Sequence, residues 1–223
     1  MRPKVTVIMP VLNGQKYIGT ALESIASQTY RPIEMIVVDD GSTDRTQAEI
    51  HRFADRFELK CVRHPERMGI ARSVNDGLAQ ASGSLIAFLD HDDAWFPNFL
   101  ETQVGYLEEH PDVVMVHSDF QTIDADGGVL MASVAANRKR PRPSGQVFSE
   151  LFMDSFIVGN SVVIRKDCLQ ALGGFDESFR AADYHLWLRV ARNHKVDYVP
   201  QVLTQYRQHA TQDTRTAFAG HPH

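Results

Sequence analysis

Cysteine is scarce in these 223 residues: Cys61 and Cys168 are the two present, in no CxxC or zinc-ligand spacing. Both sit in apolar surroundings, so buried free thiols in a reducing compartment are expected rather than a disulfide framework. No stretch approaches the ~20 apolar residues of a membrane span, and the apolar run Val5 to Val11 is too short for a signal-peptide core. Basic excess is missing as well. Lys and Arg number 23 against 28 Asp and Glu, a formal net charge of -5, which argues against a general nucleic-acid binder. There is no internal repeat and no low-complexity linker. What is there, 43% hydrophobic and 23% charged residues, is ordinary for a soluble globular protein with room for one sizeable core. The expectation is a soluble, cytoplasmic protein.

Short apolar runs alternate with amphipathic stretches through the first half. Val5 to Met9 and Ile33 to Val38 are apolar on both faces, as buried parallel strands are. Leu59 to Arg63 and Ser84 to Leu89 read as two further strands. Between them lie helical patterns: Ile18, Leu22 and Ile25 on one face, then about Arg45 to Phe57 with Ser42 or Thr43 as cap, then Gly69 to Ala81. This rhythm predicts an α/β fold with an open, mostly parallel sheet flanked by helices. Ligands bind such sheets outside the carboxyl ends of the strands. Three of those ends carry polar clusters: Pro10 to Gly14, Asp39 to Ser42, and Asp90 to Asp93. The second half is less regular. A helix follows Pro97, strands are read at Val113 to His117, Gln121 to Ile123, Ser161 to Arg165 and Val196 to Val199, and a helix spans Ala182 to Asn193. From about Thr211 the residues form a polar tail.

Asp90-His91-Asp92-Asp93 is the strongest chemical signal. Three carboxylates in four positions repel one another, and a hard divalent cation such as Mg2+ or Mn2+ resolves that repulsion while bridging to phosphates. Taken alone, the run is equally well a solvated loop with helix-capping duty. Asp39-Asp40-Gly41-Ser42-Thr43-Asp44 likewise reads as a turn with a cap, or as acceptors for a base or ribose. Arg138 to Arg142 holds four basic residues in five positions. Its default reading is a solvated loop, and its functional one is a contact with anionic lipid at the inner face of a membrane or with a lipid-linked acceptor.

Four motifs in order carry a family resemblance: Val5-Thr6-Val7-Ile8-Met9-Pro10-Val11-Leu12-Asn13, Ile36 to Asp44, Gly69 to Asn75, and Phe88 to Asp93. With Gly159-Asn160-Ser161, Gly173 to Asp176, Asp183 to Arg189 and Tyr206-Arg207-Gln208-His209, the chain resembles family 2 of the glycosyltransferases, which have the GT-A fold. The resemblance implies one GT-A domain over residues 1–210. Residues 1–100 would form the nucleotide-sugar half and 101–210 the acceptor-binding and catalytic half, with a smaller antiparallel portion, and 211–223 would be the tail. It implies transfer of a sugar, with inversion, from a nucleotide diphosphate donor (read as a UDP-sugar) to a glycan or lipid-linked hydroxyl acceptor in polysaccharide or glycoconjugate synthesis. By the same resemblance Pro10, Val11 and Asn13 line the nucleotide pocket, Asp40 bonds the base, and Arg72 approaches the base or diphosphate. Asp90 meets the ribose or donor sugar, Asp92 and His209 hold Mn2+ or Mg2+, and Asp183 is the catalytic base. The family usually has Glu immediately before that Asp, where this chain has Ala182. That departure keeps a second reading open, a nucleotide-sugar-binding module with weak or lost catalysis. A Rossmann dehydrogenase or a nucleotidyltransferase fits poorly, because Pro10 to Gly14 is neither G-x-G-x-x-G nor a Gly-rich loop with a Lys.

Overall fold

Alternation along the first strands is what builds the molecule. In β1 (Val5–Val11), Val5, Val7, Met9 and Val11 enter one core while Ile8 enters the other. In β2 (Ile33–Asp39), Met35 and Val37 join the first core, Ile36 and Val38 the second. A strand buried on both faces needs helices on both sides, and the chain supplies them. The computed structural model describes residues 2–137, 141–210 and 212. After β1 come α1 (Ile18–Ala26), β2, α2 (Thr46–His51), β3 (Glu58–Arg63), α3 (Ile70–Gln80) and β4 (Leu85–Phe88). The four strands pair in parallel in the order β3-β2-β1-β4. The helix expected to reach Phe57 stops at His51. Beyond it the amides of Arg52, Phe53 and Ala54 reach back three residues instead of four, tightening the chain and bringing Phe53 onto the core. Cys61 corrects the expectation of two buried thiols: it lies exposed on the outer strand β3, while Cys168 is buried and both are free.

The second half extends the same sheet. Its elements are β5 (Ala94–Trp95), α4 (Phe99–Glu109), β6 (Val113–Ile123), β7 (Val129–Met131), α5 (Phe148–Met153), β8 (Val162–Arg165), α6 (Lys166–Leu172), α7 (Ala182–Asn193) and β9 (Lys195–Arg207). Among the described residues the nine strands form one sheet, β3-β2-β1-β4-β8-β6-β9-β5, with β7 on β6. β8 runs antiparallel to β4 and β6, and β9 runs parallel to β6. The two strands expected at 113–117 and 121–123 are one, with the register to β9 shifting around Asp119. The polar pair Ser118-Asp119 breaks the apolar pattern yet is buried, because the Asp119 carboxylate accepts from Ser133 Oγ and Ala135 N. The strand expected at 196–199 runs on to Arg207, and this extension carries the C-terminal segment to the carboxyl ends of β1, β2 and β4. Of the basic cluster, Arg138, Lys139 and Arg140 lie outside the described residues, as does the tail apart from Gln212. Arg142 is not a solvated loop residue: it is buried, donates to the Phe156 carbonyl and lies 5.6 Å over the Phe156 ring. No helix among the described residues is long and apolar enough to cross a membrane.

Candidate active site

The crevice begins where β1 ends. Pro10 is tolerated inside a central strand because its nitrogen faces β4, whose pairing with β1 stops at Ile8 and Phe88. On the other side, Val11 O receives the amide of Asp40. Asn13 takes a left-handed backbone (φ 53°) and bridges to the turn after β2. Its amide donates to Ser42 Oγ (2.9 Å) and its Oδ1 accepts from Thr43 N (2.9 Å), while Gly14 N donates to Thr46 Oγ1 (2.8 Å). Neither Ser42 nor Thr43 caps α2: Arg45 stands at the cap position without a side-chain cap bond, and Asp44 Oδ1, one residue earlier, accepts from Thr46 N at 2.9 Å. Pro10, Val11, Asn13 and Asp40 thus share one cross-linked rim.

Asp40 is 5% exposed and fully engaged. Oδ1 accepts from Met68 N (2.7 Å) and faces His64 Nδ1 (2.8 Å), and Oδ2 accepts from Gly69 N (2.9 Å). Burial alone raises its pKa, but His64 and the two amides outweigh burial and hold the carboxyl below its usual range. Arg72, in the first turn of α3, donates its Nε to Asp76 Oδ2 at 2.9 Å.

Asp90 to Asp93 form a turn closed by Asp93 N donating to Asp90 O at 3.1 Å. His91 packs against the loop after β1: a Cβ on Gly14 would lie 2.6 Å from its ring, so only glycine lets the two segments approach. Asp92 is 7% exposed, and its Oδ2 lies 2.8 Å from His209 Nε2, 117 residues away in sequence. Asp93 is buried deeper. Its oxygens accept from Arg207 N (2.8 Å) and Asn160 Nδ2. Burial, then repulsion from Asp92 and Asp90, pushes its carboxyl well above the usual range despite those donors. Arg207 also donates Nε to Asp92 O (2.7 Å) and lies 4.9 Å over the Tyr17 ring, which in turn sits 5.0 Å from the His209 ring. Sequence reasoning placed Arg207 and Asn160 only inside quoted motifs and gave neither a role. Both reach the acidic turn from far along the chain, so no local spacing signals them.

Asp183 stands in the first turn of α7, open to solvent, while Ala182, Leu186, Trp187 and Val190 are buried. Crowding by protein displaces part of its water and raises its pKa, against donation from its own and the Tyr184 amides. Trp187 and Phe175 pack on Phe88, with ring centroids 6.0 Å and 5.5 Å from it, and so seat α7 against the last residue of β4 beside the acidic turn. Ala182 is 4% exposed within that core, so the missing Glu is replaced by packing.

The family description Glycosyl transferase family 2 matches residues 6–173, which hold Asp40, Arg72 and Asp90 to Asp93 but end before Asp183, Arg207 and His209. The chain belongs to glycosyl transferase family 2. An uncharacterized glycosyltransferase of Rickettsia prowazekii is 32% identical over 218 residues, covering 96% of this chain and 67% of that protein. A putative glycosyltransferase of Bacillus subtilis, EpsE, is 31% identical over 194 residues, covering 84% of this chain and 66% of its own length. The mannosyltransferase PcManGT of Pyrobaculum calidifontis, solved with GDP-Man and Mn2+, superposes with a TM-score of 0.73 at 26% identity, covering 98% of this chain and 60% of PcManGT. S. aureus TarS, solved with UDP-GlcNAc, superposes with a TM-score of 0.76 at 20% identity, covering 97% of this chain and 62% of the TarS chain, and so shares the GT-A fold. The chain thus spans less than two thirds of both solved structures.

Proposed function

We propose that this chain transfers a sugar, with inversion, from a nucleotide diphosphate sugar to a hydroxyl of a glycan or lipid-linked acceptor, in polysaccharide or glycoconjugate synthesis. The observation that carries the reading is the meeting of Asp92 and His209 at 2.8 Å, and it is supported by α7, which packs on Phe88 through Trp187 and carries Asp183 in its first turn. The rim of Pro10, Val11, Asn13 and Asp40 would hold the nucleotide, and Asp90 the ribose or donor sugar. Asp183 would accept the proton of the acceptor hydroxyl as that oxygen attacks the anomeric carbon and the bond to the diphosphate breaks. Its raised pKa favours that role, and its exposure leaves room for the acceptor.

Asp92 and His209 offer one carboxylate oxygen and one imidazole nitrogen. This set fits a cation that takes its remaining ligands from phosphate oxygens and water, as Mg2+ and Mn2+ do. Among the described residues no three His, Cys, Asp or Glu side chains are grouped as a ready-made cage. Bound there, the cation would offset the charge that grows on the departing diphosphate. A UDP-sugar is the proposed donor, and GDP-Man in PcManGT makes the guanine nucleotide the alternative to include.

The test is a thermal-shift screen of UDP- and GDP-sugars with and without Mn2+ or Mg2+, since a ligand of the native state raises its stability. One donor should stabilise the wild type only with metal, and Asp92→Ala should abolish that gain. Unchanged stabilisation of Asp92→Ala would remove Asp92 from the metal site.

A further inference from the structure

Four side chains from three elements stand in line at the nucleotide end of the crevice. His64, at the end of β3, is 7% exposed, and both of its ring nitrogens face carboxylates. Nδ1 lies 2.8 Å from Asp40 Oδ1 and Nε2 lies 3.0 Å from Asp76 Oδ2. Asp76, on α3, also accepts from Arg72 Nε at 2.9 Å, one turn earlier in the same helix. Asp40 meanwhile fixes the backbone at Met68 and Gly69, the two residues that lead into α3. The line therefore starts at the turn after β2 and ends on a cation.

Each member has a bland reading of its own. Asp40 can simply close a loop, and Arg72 with Asp76 can be an ordinary helix pair one turn apart. The bland reading does not account for His64. A buried position between two carboxylates calls for a polar ring, because an apolar side chain there would face both charges and pair with neither. An imidazole donates to one of the two carboxylates when neutral and to both when each ring nitrogen carries a hydrogen. It ties Asp76 to the strand end, and Asp76 in turn holds the guanidinium at Nε. That bond leaves the fork's two terminal nitrogens for a planar, bidentate contact with phosphate oxygens.

We infer that His64 is a positioning residue for the donor: through Asp76 it sets the Arg72 guanidinium to receive the diphosphate of the nucleotide. The inference rests on the donor reading above and adds to it a route by which an acidic turn and a helix act together. His64 touches no substrate. Its removal loosens Arg72 and weakens diphosphate binding, while the acceptor side keeps its chemistry.

The test is calorimetry in the presence of Mn2+, using whichever of UDP and GDP the wild type binds, with the matching nucleoside as control. His64→Ala should weaken nucleoside diphosphate binding about tenfold, the loss of one charge-assisted contact, and leave nucleoside binding within about twofold. His64→Gln, which keeps one N–H donor, should recover most of the loss. Asp76→Ala, at a half-buried surface position, should reproduce the His64→Ala effect and decides the matter if that variant does not fold. In an Arg72→Ala background neither change should weaken binding further, because coupled residues are not additive. Diphosphate binding within twofold of wild type in both single variants, or an undiminished effect in the Arg72→Ala background, would overturn the role of His64. A wild type that binds neither UDP nor GDP would overturn the donor reading itself, which is a separate outcome.

Discussion

Asp183 and Asp93 are both carboxyls raised above their usual range, for different reasons that assign them different work. Asp93 is enclosed, shares its neighbourhood with Asp90 and Asp92, and spends both oxygens on Arg207 N and Asn160. It is a brace for the acidic turn. Asp183 is met by the amides of its own residue and Tyr184 and remains open to solvent, so its carboxylate is available to an incoming hydroxyl. Asp183→Asn should keep donor binding and lose about 10²–10⁴-fold in kcat, the range over which a positioned base contributes. The base acts only when ionised, so kcat should fall as pH drops through its raised pKa, with the acid limb above about 3.9, the ordinary Asp value. Donor calorimetry and a pH profile of kcat check both points, and a fully active Asn variant would take Asp183 out of the chemistry. Asp40, Asp92, Asp183 and His209 were legible in the sequence because they sit in ordered motifs. His64, Asn160 and Arg207 were not assigned roles, because each acts on a residue remote in sequence. No local spacing reveals that Arg207 will reach Asp92 and Asp93.

Among the elements, α3 is the one on which the proposed donor contact depends, since it carries both Arg72 and Asp76. Gly77 lets it lie directly on the sheet. A Cβ there would stand 2.7 Å from Ile8 Cγ2 and 3.3 Å from Val38 Cγ2. Both neighbours are buried and stiff at χ1, so they cannot yield by rotating a flexible end. Gly77→Ala should therefore destabilise the protein, because an overpacking cost of about 1–3 kcal/mol exceeds the roughly 1 kcal/mol that Ala gains over Gly in a helix. Gly105→Ala, in α4 with nothing within 4 Å of its Cβ position, should be stabilising by about 0.5–1 kcal/mol. Urea midpoints of the two variants check this, and equal shifts would mean that α3 is free to move off the sheet. Unbroken apolar runs, buried on both faces, made β1, β2 and β4 readable in advance. β5, β7 and the extension of β9 beyond Val199 were not, because two or three residues give no period and because Gln201, Gln205 and Arg207 interrupt the apolar pattern of β9. Arg207 is polar for a reason that only the fold supplies, namely that β9 delivers it to the acidic turn.

Across the whole molecule, the two ends of the sheet divide the labour between function and stability. The carboxyl ends of β1, β2 and β4 carry the candidate chemistry, while the opposite end is held by one buried carboxylate. Glu34, with 0% exposure, accepts from Thr6 Oγ1 of β1 (2.6 Å), Lys60 Nζ of β3 (2.6 Å) and Ser82 N just before β4 (2.8 Å), so it ties together all four parallel strands. Burial on its own raises its pKa, but these three donors prevail and bring it down to about 2 from 4.5. A folded-state pKa below the unfolded one means stability that is fully present above about 4.5 and disappears as pH falls toward 2. At 1.36 kcal/mol per pKa unit the contribution is roughly 3 kcal/mol, an upper value because Lys60 is partly in water. Glu34→Gln should lose most of that contribution at pH 7 and approach the wild type as pH falls, leaving a flatter dependence of stability on pH. Urea unfolding of both proteins at pH 7 and pH 3 measures the difference, and a gap that stays constant with pH would show that ionisation of Glu34 is not what holds this end. Because Glu34 lies at the end of the sheet away from the crevice, its variant should keep the wild-type affinity for the donor nucleotide at pH 7 and at a temperature where it is folded. A protein that lost nucleotide binding with this change would not have the separation of duties that the sheet displays.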